Sequence, residues 1–141
     1  ELRTASRCGR LDQACAFGVR PVKMTFDAEE VDVENFNIKK PLYWVFANLK
    51  ASKDTIRILA DLNKAYPFAE TDVEKMEQKA LGEMNQDIIQ RAIDCMREGR
   101  VEDLGKLMTE AQGVFDKYVA PNCPSQLKSP KLHAKAETRH R

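Results

Sequence analysis

Between Val22 and Ile38 apolar residues alternate with polar ones, whereas from Thr55 to Tyr118 they recur every three or four positions. Strand side chains alternate faces and helix side chains return to one face every 3.6 residues, so this change of period divides the chain into a β part and a helical part. Val22, Met24 and Phe26 alternate with polar partners, Asp27-Ala28-Glu29 reads as a turn, and Val31 and Val33 resume the alternation. Phe36 and Ile38 continue it one residue out of phase, which predicts a bulge. Leu42-Tyr43-Trp44-Val45-Phe46-Ala47 is apolar on both faces and predicts a central strand from Leu42 to Asn48. Strands first and helices after them give an α+β class, an antiparallel β segment followed by a helical layer.

Residues 49–54 are rich in helix N-cap candidates, and a helix is expected from Thr55 to Lys64 with Ile56, Leu59, Ala60 and Asn63 on one stripe and Leu62 beside it. Tyr66-Pro67-Phe68 breaks it, since proline removes a backbone donor and clashes with the preceding turn. Thr71 with Glu74 three residues on is a capping-box pattern. Val73, Met76, Ala80, Met84, Ile88, Ala92 and Met96 then recur at helical spacing to Glu98, with Gly82 as a weak point in the middle and Glu98-Gly99 as the stop. A further helix runs from Val101 to Tyr118 with Leu104, Leu107, Met108, Ala111, Phe115 and Tyr118 on one face. The methionines of these stripes read as gap-filling core residues. Pro121, Pro124 and Pro130 interrupt the chain beyond this helix, and residues 128–141, with five Lys or Arg against Glu137 alone, read as a basic, disordered tail behind a single folded region over 1–127.

A chain of 141 residues buries one core, and 23 basic against 22 acidic residues leave a net charge of +1. That balance offers no overall footprint for nucleic acid or an anionic membrane. No apolar run approaches membrane-spanning length and Glu1-Leu2-Arg3-Thr4 leads straight into polar sequence, so a cytoplasmic protein without signal peptide is expected. Cys8, Cys15, Cys95 and Cys123 are scattered, and both histidines, His133 and His140, stand in the tail. Reduced thiols fit this spacing better than a zinc site or a disulfide framework.

The candidate chemistry stands near the start, in Arg7-Cys8-Gly9-Arg10-Leu11-Asp12-Gln13-Ala14-Cys15-Ala16-Phe17-Gly18. Glycines bracket one short apolar turn from which a single carboxylate projects between Arg10 and Gln13. A carboxylate beside a guanidinium stays ionised and accepts a proton from a substrate hydroxyl. Alone, such an aspartate equally well caps a helix or satisfies a turn.

Three segments in order add to that pattern: Cys8 to Gly18; Leu42 to Asp54 with its Ala47-Asn48 end; and Gly99 to Gln112, with Leu104-Gly105-Lys106-Leu107-Met108, continuing to Tyr118 and Cys123-Pro124. The series resembles the middle and later part of GHMP-superfamily small-molecule kinases, the sugar kinases of the galactokinase and glucuronokinase kind, over nearly the whole chain to Leu127. The resemblance implies an ATP- and Mg2+-dependent kinase that phosphorylates a small sugar. It makes Asp12 the base, or the electrostatic anchor, for the accepting hydroxyl. Gly9 lets the backbone approach the sugar, Cys8 borders the same surface, and Gln13 positions the turn. Cys15, Asn48 and Ser52 are at most pocket-lining residues.

The chain departs from the family in several places. Arg10 stands where galactokinase-like sequences have an apolar residue or glycine, which suits a uronic acid through a carboxylate–guanidinium pair or else is a surface arginine. A galactokinase-like Ser-His reads Ala111-Gln112, and Cys-Pro-Glu-Leu-Asp reads Cys123-Pro124-Ser125-Gln126-Leu127. Nothing in the chain resembles the family's Gly/Ser-rich phosphate loop, a backbone cradle opening a helix. The expectation is therefore an incomplete unit, inactive alone, whose nucleotide site lies in a missing N-terminal kinase region; self-association is the alternative partner. Two other classes stay open: a non-catalytic sugar-binding or regulatory module, and a structural fragment needing a partner.

Overall fold

The computed structural model describes residues 18, 20–27, 30–46 and 54–123. Within them the chain is α+β, a two-stranded antiparallel sheet followed by helices. Strand β1 (Val22–Asp27) pairs with β2 (Glu30–Asn35) in the register Val22↔Asn35, Met24↔Val33 and Phe26↔Val31. The alternation thus lines Val22, Met24, Phe26, Val31 and Val33 along one face and the charged residues along the other. The expected bulge is not formed: β2 ends at Asn35, and the Phe36 amide closes the ladder on the Pro21 carbonyl at 3.2 Å.

A second expectation fails over Leu42 to Phe46, which join no ladder among the described residues. Leu42 turns inward against the Cys95, Leu104 and Leu107 cluster, but Tyr43, Val45 and Phe46 are 90%, 99% and 89% exposed. A strand apolar on both faces needs a sheet on its edges and layers above and below it, and a two-stranded hairpin supplies neither. The remainder of that predicted strand, 47–48, lies outside the described residues.

Helix α1 (Thr55–Leu62) starts on Asp54, whose carboxylate accepts from the Arg57 amide at 3.1 Å, and tightens into a 3-10 turn over Asn63–Ala65. Its inward side differs from the expected stripe: Asp61 and Ala65 are buried while Ile56 faces out. The proline break is present as a cis Tyr66–Pro67 bond. Helix α2 (Asp72–Lys79) opens with the expected capping box, Thr71 Oγ1 accepting from the Glu74 amide at 3.2 Å and Glu74 Oε2 accepting from the Thr71 amide at 3.0 Å. It runs through a π-helical turn (Ala80–Met84) carrying Gly82 into α3 (Asn85–Glu98). Gly99 ends α3 at φ +77°, the left-handed conformation that glycine adopts without a Cβ clash.

Helix α4 (Val101–Tyr118) folds back on α3, and a final 3-10 turn spans Ala120–Asn122. The core lies between α3 and α4, where Cys95, Leu104 and Leu107 are buried with Leu42, Ala92 and Met96 against them. Met108, expected inside, is half-exposed. Cys95 and Cys123 are both buried. No helix among the described residues is long and apolar enough to cross a membrane. The proposed boundary of the folded region at 127 and the basic tail lie outside the described residues.

Candidate functional site

The hairpin meets α3 at one end. There the Lys39 amide donates to the Met96 carbonyl at 3.1 Å, and Arg97 donates to Glu34 at 3.0 Å. A cleft of about 600 Å³ lies between Lys23–Phe26 of β1 and Leu81, Asn85, Gln86, Ile89 and Gln90 of the π turn and α3. A π turn carries one residue more than an α turn, and such turns concentrate at functional sites. Here it forms part of the cleft wall through Leu81.

The cleft walls mix apolar and polar groups. Phe26 and Ile89 remain 47% and 42% exposed, while Gln90 Nε2 is held by Asp94 Oδ1 at 3.2 Å. The side chains of Lys23, Thr25, Asn85 and Gln86 make no hydrogen bond or ion pair with described residues. Amides offer both donor and acceptor atoms, a lysine offers a point cation, and an apolar wall accepts the C–H face of a ring. Such a cleft suits a small hydroxylated ligand, with room for one acidic group near Lys23.

A smaller groove of about 330 Å³ between α3 and α4 is lined by Arg91, Arg100, Asp103, Lys106 and Glu110. Its charges are already paired with one another. Arg91 bonds Glu110 and lies 2.9 Å from Asp87; Arg100 reaches Glu98 at 2.6 Å and Asp103 at 3.1 Å; Lys106 reaches Asp103 at 3.0 Å. Bonds from Lys106 and then Arg100 hold the Asp103 carboxyl below its ordinary range, and Glu110 raises the Arg91 guanidinium. Because the cations are engaged, this groove reads as an interhelical ion-pair network rather than an anion site.

The third place is Glu77 on α2, 1% exposed. Asn122 Nδ2 donates to its Oε2 at 2.6 Å, and Oε1 has no partner among the described residues. Burial pushes its carboxyl above the ordinary value, outweighing the Asn122 bond.

The residues singled out in the sequence, Cys8, Gly9, Arg10 and Asp12, together with Gln13, Cys15, Asn48 and Ser52, all lie outside the described residues. Sequence reasoning missed Lys23, Asn85, Gln86 and Glu77. For Glu77 a signal was present: it stands four residues after Val73 and three before Ala80, inside the apolar stripe. Lys23, Asn85 and Gln86 look like ordinary solvated positions until the hairpin and α3 are placed side by side. No three His, Cys, Asp or Glu groups among the described residues converge as metal ligands. Compared with known proteins, the chain matches no family model, no curated protein and no solved structure.

Proposed function

We propose that the chain forms the acceptor side of a GHMP-type kinase that transfers the γ-phosphoryl group of ATP to a hydroxyl of a small sugar, with a uronic acid as the acidic candidate. What carries this is the ordered series in the sequence, above all the glycine-bracketed Asp12 turn succeeded by a β segment and then the Leu104-Gly105-Lys106-Leu107-Met108 helix. The α+β order of the fold is compatible with it, and the cleft between β1 and α3 supports it by chemistry and size alone.

In this reading the sugar oxygen attacks the γ-phosphorus, the bond to ADP breaks, and Asp12 takes or electrostatically anchors the hydroxyl proton, with Cys8, Gly9 and Arg10 bordering the sugar. ATP and Mg2+ are implied by the resemblance, and no Gly/Ser-rich loop to hold the phosphates stands within these 141 residues. Phosphoryl transfer depends on positioning and charge stabilisation, so the chain by itself should not turn over ATP.

The test is calorimetric titration of the chain with galactose and with glucuronate, repeated on Asp12→Asn. Saturable binding of either sugar, weakened at least tenfold in the variant, supports the proposal. No binding of either sugar, or equal affinity in the variant, overturns it.

The exposed run Tyr43–Phe46 favours a second reading, a structural piece whose apolar segment is covered by another chain. Concentration-dependent association with no affinity for either sugar would select it.

A further inference from the structure

Around Glu77, itself 1% exposed, four elements meet. The end of α1 and its 3-10 turn bring Ala65, fully buried, and Tyr66; the last 3-10 turn brings Ala120 and Asn122; and Val119 and Cys123 flank it at 1% and 0% exposed. Cys123 is seated on α1, its Sγ donating to the Ile58 carbonyl at 3.7 Å. Among the described residues only the Asn122 amide hydrogen-bonds the carboxyl, through Oε2, and Oε1 is shut away from both water and donors.

Among the described residues, the charged groups of the surrounding elements make no ion pair with Glu77. In the 3-10 turn after α1, Lys64 is paired with Asp61 of α1 at 2.8 Å. On α4, Lys117 lies over the Tyr118 ring at 4.8 Å. On α2 itself, Glu74 one turn earlier adds negative charge, and Gln78 donates instead to the Ala65 and Pro67 carbonyls. Tyr66, 44% exposed, is pushed up by burial and then by Glu77, and the buried Cys123 thiol adds no positive charge. A carboxylate in such a place lacks both hydration and a counter-charge, whereas the neutral acid needs neither.

We propose that Glu77 is a proton-operated latch: protonated, it holds the turn at 119–123 against α2 and α1, and ionised, it releases that turn. The sign comes from linkage. The closed state binds the proton more tightly than the open state, so closure is fully favoured below the value of an exposed carboxyl, about 4.3. It is lost progressively as pH rises from there to Glu77's own raised value. Across that window the open fraction grows about tenfold per pH unit, while Asn122 and the surrounding apolar contacts set its starting level.

Cys123 provides the readout, because opening the turn exposes a thiol that is inaccessible when it is closed. Alkylation of each cysteine in the full chain is tracked by mass spectrometry from pH 4.5 to 8 and divided by the rate of the same peptide in the denatured chain, which removes the thiol's own ionisation. Cys95, buried between α3 and α4, serves as the internal control. The expected result is a normalised Cys123 rate that climbs about tenfold per pH unit within the window while Cys95 stays protected, and a flat Cys123 profile in Glu77→Gln. Identical Cys123 profiles in the two proteins, or Cys95 rising in parallel, would overturn the latch. A carbon-13 titration of the Glu77 carboxyl gives an independent answer if the variant does not fold: a midpoint at or below the ordinary carboxyl value also overturns it.

Discussion

The Arg97 guanidinium lies 5.7 Å from the centroid of the Phe36 ring, and this stack joins the hairpin to α3. The same guanidinium donates to Glu34 at 3.0 Å, so one side chain reaches both the last residue before the β2 end and the residue just after it. Phe36 is buried beneath it although both ionic partners are partly exposed. An exposed ion pair contributes at most about 1 kcal/mol and a cation–π contact a similar amount. Arg97→Ala is therefore expected to destabilise the chain by about 1–2 kcal/mol. Arg97→Lys should recover only part, because an ammonium does not stack as a planar guanidinium does. Urea denaturation at low and high salt checks this; equal stability of Arg97→Ala and wild type would show that the hairpin is held by other contacts.

At Gly99 the backbone conformation and the neighbouring side chain act together. Its φ of +77° disfavours a Cβ, and one placed there would stand 3.1 Å from Lys40 Cγ. The lysine stem can move aside, so the backbone term dominates. Gly99→Ala should cost about 1–2 kcal/mol and Gly99→Asn distinctly less, since asparagine tolerates the left-handed region. Thermal denaturation of the pair distinguishes a conformational cost from simple crowding, which would penalise the larger asparagine more.

The capping box predicts an acid-dependent loss. The Thr71 and Glu70 amides hold the Glu74 carboxyl below its ordinary value. The contribution of that ionised cap is present above the unfolded carboxyl value and disappears as pH falls through the lowered one. Thr71→Ala should cost about 1 kcal/mol through the lost side-chain acceptor at the cap. Glu74→Gln should remove the acid-dependent part of stability near pH 4 while leaving neutral stability less affected. Denaturant midpoints measured between pH 3 and 7 give both numbers; an unchanged pH slope in Glu74→Gln would count against the assignment.

The exposed run after β2 predicts association. Val45 is 99% exposed, so within one chain Val45→Glu should change stability by no more than about 0.5 kcal/mol. If Tyr43–Phe46 is covered by another chain, the same change should reduce self-association in a sedimentation concentration series. A wild-type chain that stays monomeric across the series would leave no role for this run in self-pairing.

Much of the fold was legible in the sequence because it rests on local rules. The alternation of Val22, Met24 and Phe26 with Val31 and Val33 marked the hairpin, the Thr71/Glu74 pair marked the start of α2, and Gly99 marked the end of α3. Each depends on neighbours within a few residues, where propensity and capping act without help from distant parts of the chain. The α+β class came from the same periodicities. The failures were not local. Leu42–Phe46 has the composition of a buried strand, but composition does not supply the adjoining strands. The stripe of α1 was misplaced because Asp61, a polar residue, turns inward and is bonded there by Lys64, whose own side chain stays exposed.

What the sequence determined by itself is the order of the hairpin and helices with their caps and stops; Asp12, on which the proposed sugar phosphorylation depends, lies outside the described residues. Only the tertiary structure decided that β1 and α3 line one cleft, with Lys23 and Asn85 in its walls, and that Glu77 is shut in by a turn 45 residues further along the chain. The reason is physical: periodicity and capping are set by near neighbours, whereas desolvation and cavity shape depend on which distant surfaces meet.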